Sequence, residues 1–242
     1  MENQTKVGLN RTGIQMSPMA GPDQVRYALS RPPHPETGGA EILAAAHAAY
    51  IQESPRIGSV PMPATGRGLA QTAVGKLKGD NPEVLIDKLG QRLAFERSGV
   101  RLYQAMMGKV QAAGHPEQAG LLRDLQHICE EELAHFRMLT EAMQSIGADP
   151  TAQTPCADVG AVAAMGMIQV ITDPRTTVAH GLETLLSAEL TDNAGWELLI
   201  ELAQEEGRDA LAERFGPALE NEKEHETMVR KWLRATVLEA AT

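Results

Sequence analysis

The pattern Glu-x-x-His occurs twice in this chain, as Glu132-Leu-Ala-His135 and Glu222-Lys-Glu-His225, and each copy falls inside an apolar stripe of helical period. The first stripe reads Leu125, Ile128, Glu132, His135, Leu139, Ala142 and Ile146. The second reads Phe215, Ala218, Glu222, His225, Val229 and Trp232. Residues three and four apart share one helix face, so each Glu and His takes a place that the pattern assigns to the core. An ionised carboxylate there is costly unless it is paired or coordinated. Any fold of this chain must therefore deliver compensating charge to two buried places.

The rest of the chain from Asn81 onward repeats the same period. With 43% hydrophobic but only 3% aromatic residues, its core must be built from Leu, Ala, Val, Ile and Met, which favours packed helices. A first bundle helix begins with Asn81 as cap and Pro82 in its first turn, and carries Leu89, Leu93, Val100, Tyr103, Met107 and Val110 as far as Gly114. A second enters at Pro116 and ends at Gly147. A long connection, 148–173, holds a short helix around Val159 to Val170. The third helix begins near Pro174 and shows Leu182, Leu185, Glu189, Asp192, Trp196 and Leu199, and Gly207 and Asp209 mark the turn into the fourth. The expected fold is an all-α four-helix bundle with a long crossover between its second and third helices.

Before residue 81 the pattern is different. Nine of the fourteen prolines lie between Met1 and Pro82, including Pro32-Pro33-His34-Pro35, a density no helix interior tolerates. The expected organisation is thus a Pro/Gly-rich extended N-terminal segment over 1–80, interrupted by one amphipathic helix from Gly39 to Gln52 with Ile42, Leu43, Ala46 and Tyr50 on a shared face, followed by the bundle over 81–242.

Spacing alone is weak evidence for a site, since this composition yields roughly 0.7 Glu-x-x-His matches by chance. Helix arithmetic adds more. At about 1.5 Å per residue, Glu96 lies ~27 Å before the turn at Gly114 and Glu132 lies ~24 Å after Pro116, so the two meet in an antiparallel hairpin. Glu189 lies ~27 Å before Gly207 and Glu222 ~20 Å after Asp209, whereas Glu183 overshoots and Glu197 falls short. A faint internal repeat agrees: Leu93-Ala-Phe-Glu96 aligns with Leu186-Ser-Ala-Glu189, and Tyr103 then aligns with Trp196. Carboxylate oxygen and neutral imidazole nitrogen suit iron or manganese. The expected site holds two metals, one with Glu96 and His135, the other with Glu189 and His225, with Glu132 and Glu222 available to bridge.

Glu96, Tyr103, Glu132, His135, Glu189, Glu222 and His225 together resemble the dinuclear carboxylate set of the ferritin-like superfamily, over residues 81–240. That superfamily includes ferritins, bacterioferritins, rubrerythrins, manganese catalases and di-iron oxygenases, and a long crossover is typical of its bundles. The Glu-x6-Tyr spacing is similar to that of bacterioferritins and rubrerythrins, where the tyrosine lies near the metals. Tyr103 is accordingly the candidate for a catalytic role, through redox chemistry or hydrogen bonding, with ordinary core packing as the alternative. Asp192 and Trp196 are candidates for the layer behind the ligands, Asp192 as acceptor of the outer N–H of a ligand histidine. Of the run Glu130, Glu131, Glu132, only the last is expected to point inward. His127 and His180 are expected to be structural or exposed, and Cys129 to be a small buried hydrophobe. The resemblance implies two iron ions, or alternatively two manganese ions, and O2 or H2O2 as substrate.

Composition excludes other classes. A net charge of −10, a pI near 5.2 and no long basic run argue against a nucleic-acid partner. Two cysteines, Cys129 and Cys156, encode neither a disulfide framework nor the rubredoxin module of rubrerythrins, and point to a reducing compartment. The apolar run Val162–Ile171 is shorter than a membrane span requires, so a cytoplasmic protein without a membrane partner is expected, as a homo-oligomer. Three functions fit: a di-iron oxidase, peroxidase or ferroxidase; a manganese catalase-like enzyme; and a non-catalytic iron-storage or metal-binding subunit.

Overall fold

The computed structural model describes residues 19–31, 38–63, 65–66, 68–70, 73, 76, 81–114 and 119–241. The chain forms two compact units, Glu2–Arg56 and Ile57–Thr242. The second unit thus begins well before residue 81. Pro116, expected to open the second bundle helix, and the proline run at residues 32–35 lie outside the described residues.

The N-terminal unit holds helices α1 (Gly21–Ser30) and α2 (Gly38–Glu53). Helix α1 was not expected, because the proline density of this stretch reads as extended chain. Pro22 in fact sits in the first turn, where its missing N–H has no intrahelical role. Helix α2 is where the sequence places it but is not amphipathic: Ile42, Leu43, Ala46 and Tyr50 are all exposed, and alanine and isoleucine continue round its other faces.

The second unit carries α3 (Pro82–Ala113), α4 (Ala119–Ser145), α5 (Pro155–Thr172), α6 (Val178–Glu205) and α7 (Asp209–Glu239), with no strand among the described residues. The buried residues of the four long helices sort into two apolar clusters. One contains Leu85, Leu89 and Leu93 of α3, Leu139 and Met143 of α4, Trp196 and Leu199 of α6, and Phe215 of α7. The other contains Leu102 and Met106 of α3, Leu121 and Leu125 of α4, Leu182 and Leu185 of α6, and Val229 of α7. Helices α3 and α7 pass from the first cluster to the second along the chain, whereas α4 and α6 pass the other way. The bundle therefore runs up, down, down, up, and a chain crossover must join α4 to α6.

Helix α5 lies within that crossover. It starts at Pro155, earlier than expected, because Thr154 caps it by accepting a hydrogen bond from the Ala157 N–H. The Thr154 hydroxyl also donates to the Asp87 carbonyl, and the Cys156 N–H donates to the Asp87 carboxylate at 2.8 Å, fixing this end against α3. At the other end Lys109 donates to the carbonyls of Asp173 and Thr176. The longer helix also corrects the apolar-length estimate: Pro155–Thr172 is long and apolar enough, by composition alone, to cross a membrane. Helix α6 starts at Val178 rather than near Pro174, because Thr177 and His180 close a capping box there: the His180 N–H donates to the Thr177 hydroxyl and the Thr177 N–H to His180 Nδ1.

The remaining helix ends follow the glycines read from the sequence. Gly147 has φ +81° and also approaches Gly68 so closely that a Cβ on it would lie 2.5 Å from the Gly68 Cα. A side chain is excluded there on both counts. Asn81 occupies the cap position of α3, although its side chain makes no capping bond. The stripe of α4 is buried throughout, while Val100, Met107 and Trp232 are only half-buried, their places in the core going to neighbours such as Leu102 and Met106.

Leu139 is fully buried beside the polar layer and Leu190 is half exposed, on the outer side of α6. Leu139→Ala is expected to destabilise the unit by about 2–5 kcal/mol and Leu190→Ala by less than about 0.5 kcal/mol, measured by urea unfolding.

Candidate metal centre

Between the two apolar clusters each long helix turns polar residues inward. These are Glu96 on α3, Glu132 and His135 on α4, Glu189 and Asp192 on α6, and Glu222 and His225 on α7, none more than 4% exposed. Glu183 and Glu197, set aside by the helix arithmetic, are exposed.

The donors converge. One group of candidate ligand atoms comes from Glu132, Glu189, Glu222 and His225, a second from Glu96, His135 and Glu222, and a third from Glu96, Glu132, Asp192 and Glu222, each within 4.8 Å of one another. Glu222 spans the two halves. Its Oε1 lies 2.8 Å from His135 Nδ1, and its Oε2 lies 3.1 Å from His225 Nδ1. Glu96 Oε2 stands 3.5 Å from His135 Nδ1, and Glu189 Oε2 stands 3.7 Å from His225 Nδ1. Both imidazoles thus turn Nδ1 to the carboxylates and Nε2 away from them.

Gly99 makes room for this arrangement. A Cβ there would lie 2.1 Å from Glu132 Oε2, so the carboxylate occupies the volume that any side chain would take. Glu132 is held against bare α3 backbone.

The layer behind the ligands differs from the sequence expectation. Asp192 does not receive an N–H from either histidine; its Oδ1 pairs with Arg92 Nη2 at 2.8 Å. The outer nitrogen of His225 instead meets Glu131 Oε2 at 2.8 Å. Asn221 Nδ2 donates to Glu131 Oε1 at 3.1 Å and lies 3.5 Å from His135 Nε2. Glu131 is therefore half-buried rather than solvated, because α7 packs over that side of α4. Its one sequence signal was its position directly before Glu132; Asn221 likewise adjoins Glu222. Arg92 also escaped the sequence reading, though it stands one turn before Glu96. Of the other polar candidates, His127 is largely exposed, 3.4 Å from Glu131, and Cys129 is half-buried, its Sγ 3.7 Å from the Val100 carbonyl.

The aromatic pair crosses between halves. The Tyr103 hydroxyl donates to Glu189 Oε1, although Tyr103 follows Glu96 on α3. Trp196 follows Glu189 on α6, yet its ring packs edge-on to His135 at 5.6 Å. Because α3 and α6 are antiparallel, seven residues past each glutamate leads toward the other one.

Burial raises the Glu132 carboxyl well above its usual range, and the charges of Glu96 and Glu222 add to the shift. Burial and Glu222 push Glu189 up to about 8. Burial acts likewise on Glu222, but His135 and His225 outweigh it and hold it at about 2. His135 is depressed by burial and more strongly raised by Glu222 and Glu96, to about 9; His225 is raised on the same balance. Tyr103 is raised well above its ordinary value by burial and by Glu189, so it stays a neutral donor.

Such a set fits bound metal. Glu96 Oε2, Glu132 Oε2 and Glu189 Oε2 are buried without a hydrogen bond, while Glu222 Oε1 with His135 Nδ1 and Glu96 Oε1 with Arg92 have only ion-pair contacts. Native cores rarely leave so many polar atoms unsatisfied in one place unless a cation completes them.

A family model for the ferritin-like domain matches residues 86–238. No curated protein and no solved structure matches the chain.

The close approach at Gly99 is directly testable. Gly99→Ala should displace the Glu132 carboxylate and strip the protein of bound metal while circular dichroism reports unchanged helix content. Gly108→Ala, where a Cβ meets nothing within 4 Å, should retain metal.

Proposed function

The chain belongs to the ferritin-like domain family, and on that premise we propose that it is a di-iron carboxylate oxidoreductase whose substrates include Fe(II) and O2 or H2O2. The observation that carries the reading is the convergence of orphaned carboxylate oxygens and both imidazole Nδ1 atoms in a buried layer closed above and below by apolar clusters. Two Fe(II) ions held there would supply one electron each, enough with two protons to take H2O2 to two waters or O2 to H2O2.

The residues divide the remaining work. Glu96 and His135 would hold one ion, Glu189 and His225 the other, and Glu222 and Glu132 would lie between them. Tyr103 holds Glu189 through Oε1 and so leaves Oε2 facing the centre. Glu131 keeps His225 oriented from behind by taking its outer nitrogen, which fixes Nδ1 as the inward donor. The apolar clusters exclude bulk water, so charge changes at the centre are met by carboxylates already in place. Exposed Val159, Val162 and Met165 on α5 support assembly into a homo-oligomer, and unpaired Cys129 and Cys156 support a reducing, cytoplasmic setting.

Metal analysis of protein produced with iron and manganese both present, followed by anaerobic Fe(II) loading and rapid mixing with O2 or H2O2, tests the reading. About two irons per chain are expected, oxidised at least ~100-fold faster than in Glu132→Ala. Manganese with peroxide disproportionation would replace the reading by a catalase-like one. A cage-sized particle that accumulates mineral would replace it by storage.

Metal binding should also release protons. At pH 7 the metal-free site keeps His135 and Glu189 protonated, since both titrate above neutrality, and each must lose its proton to coordinate. Affinity is therefore expected to rise with pH from 6 to about 9 and then level off. Calorimetry in buffers of different ionisation enthalpy reads the released protons directly.

A further inference from the structure

The two halves of the centre are related by the faint internal repeat, and two of the positions where the halves differ are charged in one half only. Four residues before Glu96 stands Arg92, whereas four residues before Glu189 stands Leu185. Three residues after Glu189 stands Asp192, whereas three residues after Glu96 stands Gly99. The structure brings both exceptions to the same side. Arg92 Nε lies 3.3 Å from Glu96 Oε1, Nη2 lies 2.8 Å from Asp192 Oδ1, and Nη1 donates to the Asp192 carbonyl at 3.4 Å.

This guanidinium is a built-in part of the core. It is 5% exposed, and no other lysine or arginine among the described residues is buried. It lies over the Phe95 ring at 4.4 Å, and Gly195 leaves the space it fills, since a Cβ there would stand 1.8 Å from Nη1.

The two outer glutamates therefore face different neighbours. Oε1 of Glu96 is drawn to a permanent cation, while Oε1 of Glu189 accepts from the neutral Tyr103 hydroxyl. A guanidinium competes with a metal for the Glu96 lone pairs and repels an incoming dication, which a phenol does not do. The donor sets differ in the same sense. Glu132, Glu189, Glu222 and His225 converge in one half; in the other Glu96, His135 and Glu222 converge, and Glu96, Glu132, Asp192 and Glu222 do so as well, but there Arg92 engages both Asp192 and Glu96.

We propose that Arg92 ranks the two metal positions, so that the position at Glu189 and His225 fills first and holds its ion tightly, and the position at Glu96 and His135 fills second and exchanges. This rests on the two-metal reading above. Arg92 acts through Glu96 as a positioning residue, and Asp192 anchors it.

The test titrates the metal-free full-length protein with Co(II), followed by calorimetry and visible absorption. Anomalous diffraction of crystals loaded with less than one equivalent locates the first ion. The expected first peak lies at Glu189 and His225, with the second ion bound at least ~10-fold more weakly. In the charge-neutral pair Arg92→Leu with Asp192→Asn the two affinities should approach within ~3-fold, and Arg92→Lys, which keeps the charge, should preserve the gap. A first peak at Glu96 and His135, equal wild-type affinities, or a gap unchanged in the neutral pair overturns the proposal. Should the neutral pair fail to fold, the wild-type order of filling decides. Absence of Co(II) binding to the wild type is a different failure, one that removes the two-metal reading itself.

Discussion

Five carboxylates and two imidazoles share a layer of this bundle from which water is excluded, and the demand that layer makes for positive charge governs the rest of the molecule. A single arginine serves one flank, and the surrounding carboxylates raise both imidazoles toward their protonated form. Burial pushes the Glu132 and Glu189 carboxyls toward their neutral form. Protons are thus drawn to the place where bound metal would bring dications. Protons and dications satisfy the same electrostatic requirement, so the bundle tolerates exchange of one for the other.

The apolar clusters make that exchange local. Leu139, Trp196 and Phe215 close one side, and Leu125, Leu182 and Val229 close the other, so the ligands are held on rigid helix rather than on loops. Glycine does the fine adjustment. Gly99 and Gly195 each give up a side chain so that Glu132 and Arg92 can lie flat against a neighbouring helix. The antiparallel course of α3 and α6 then hands Tyr103 to the half of Glu189 and Trp196 to the half of His135, which couples the two halves through aromatic side chains neither half supplies for itself.

How far a residue could be read from sequence depended on how many elements place it. Glu132, His135, Glu222 and His225 sit in single-helix stripes, and one period suffices to turn them inward. Glu96 and Glu189 needed only the length of two hairpins, because a helix rises by a constant amount per residue. Asp192 was read as inward from the stripe of its own helix, but its partner was misjudged: Arg92 reaches it from a helix a hundred positions away. Glu131 was read as solvated from its own helix, and became a partner of His225 only because α7 covers it. The N-terminal unit shows the same limit, since a proline can open a helix or break one, and here Pro22 stands in the first turn of α1.

The sequence by itself determined that this chain would be helical, that four helices would turn their polar residues inward at matching heights, and that six of those residues would meet. Periodicity and helix rise are local properties, identical in every helix, and they carry that much without knowledge of packing. Tertiary structure alone decided which nitrogen of each histidine faces the centre, which carboxylate spans both imidazoles, and which half lies against a buried guanidinium. Those are matters of distance between side chains on different helices. They are settled only when the bundle closes and each buried charge takes the partner that packing leaves within reach.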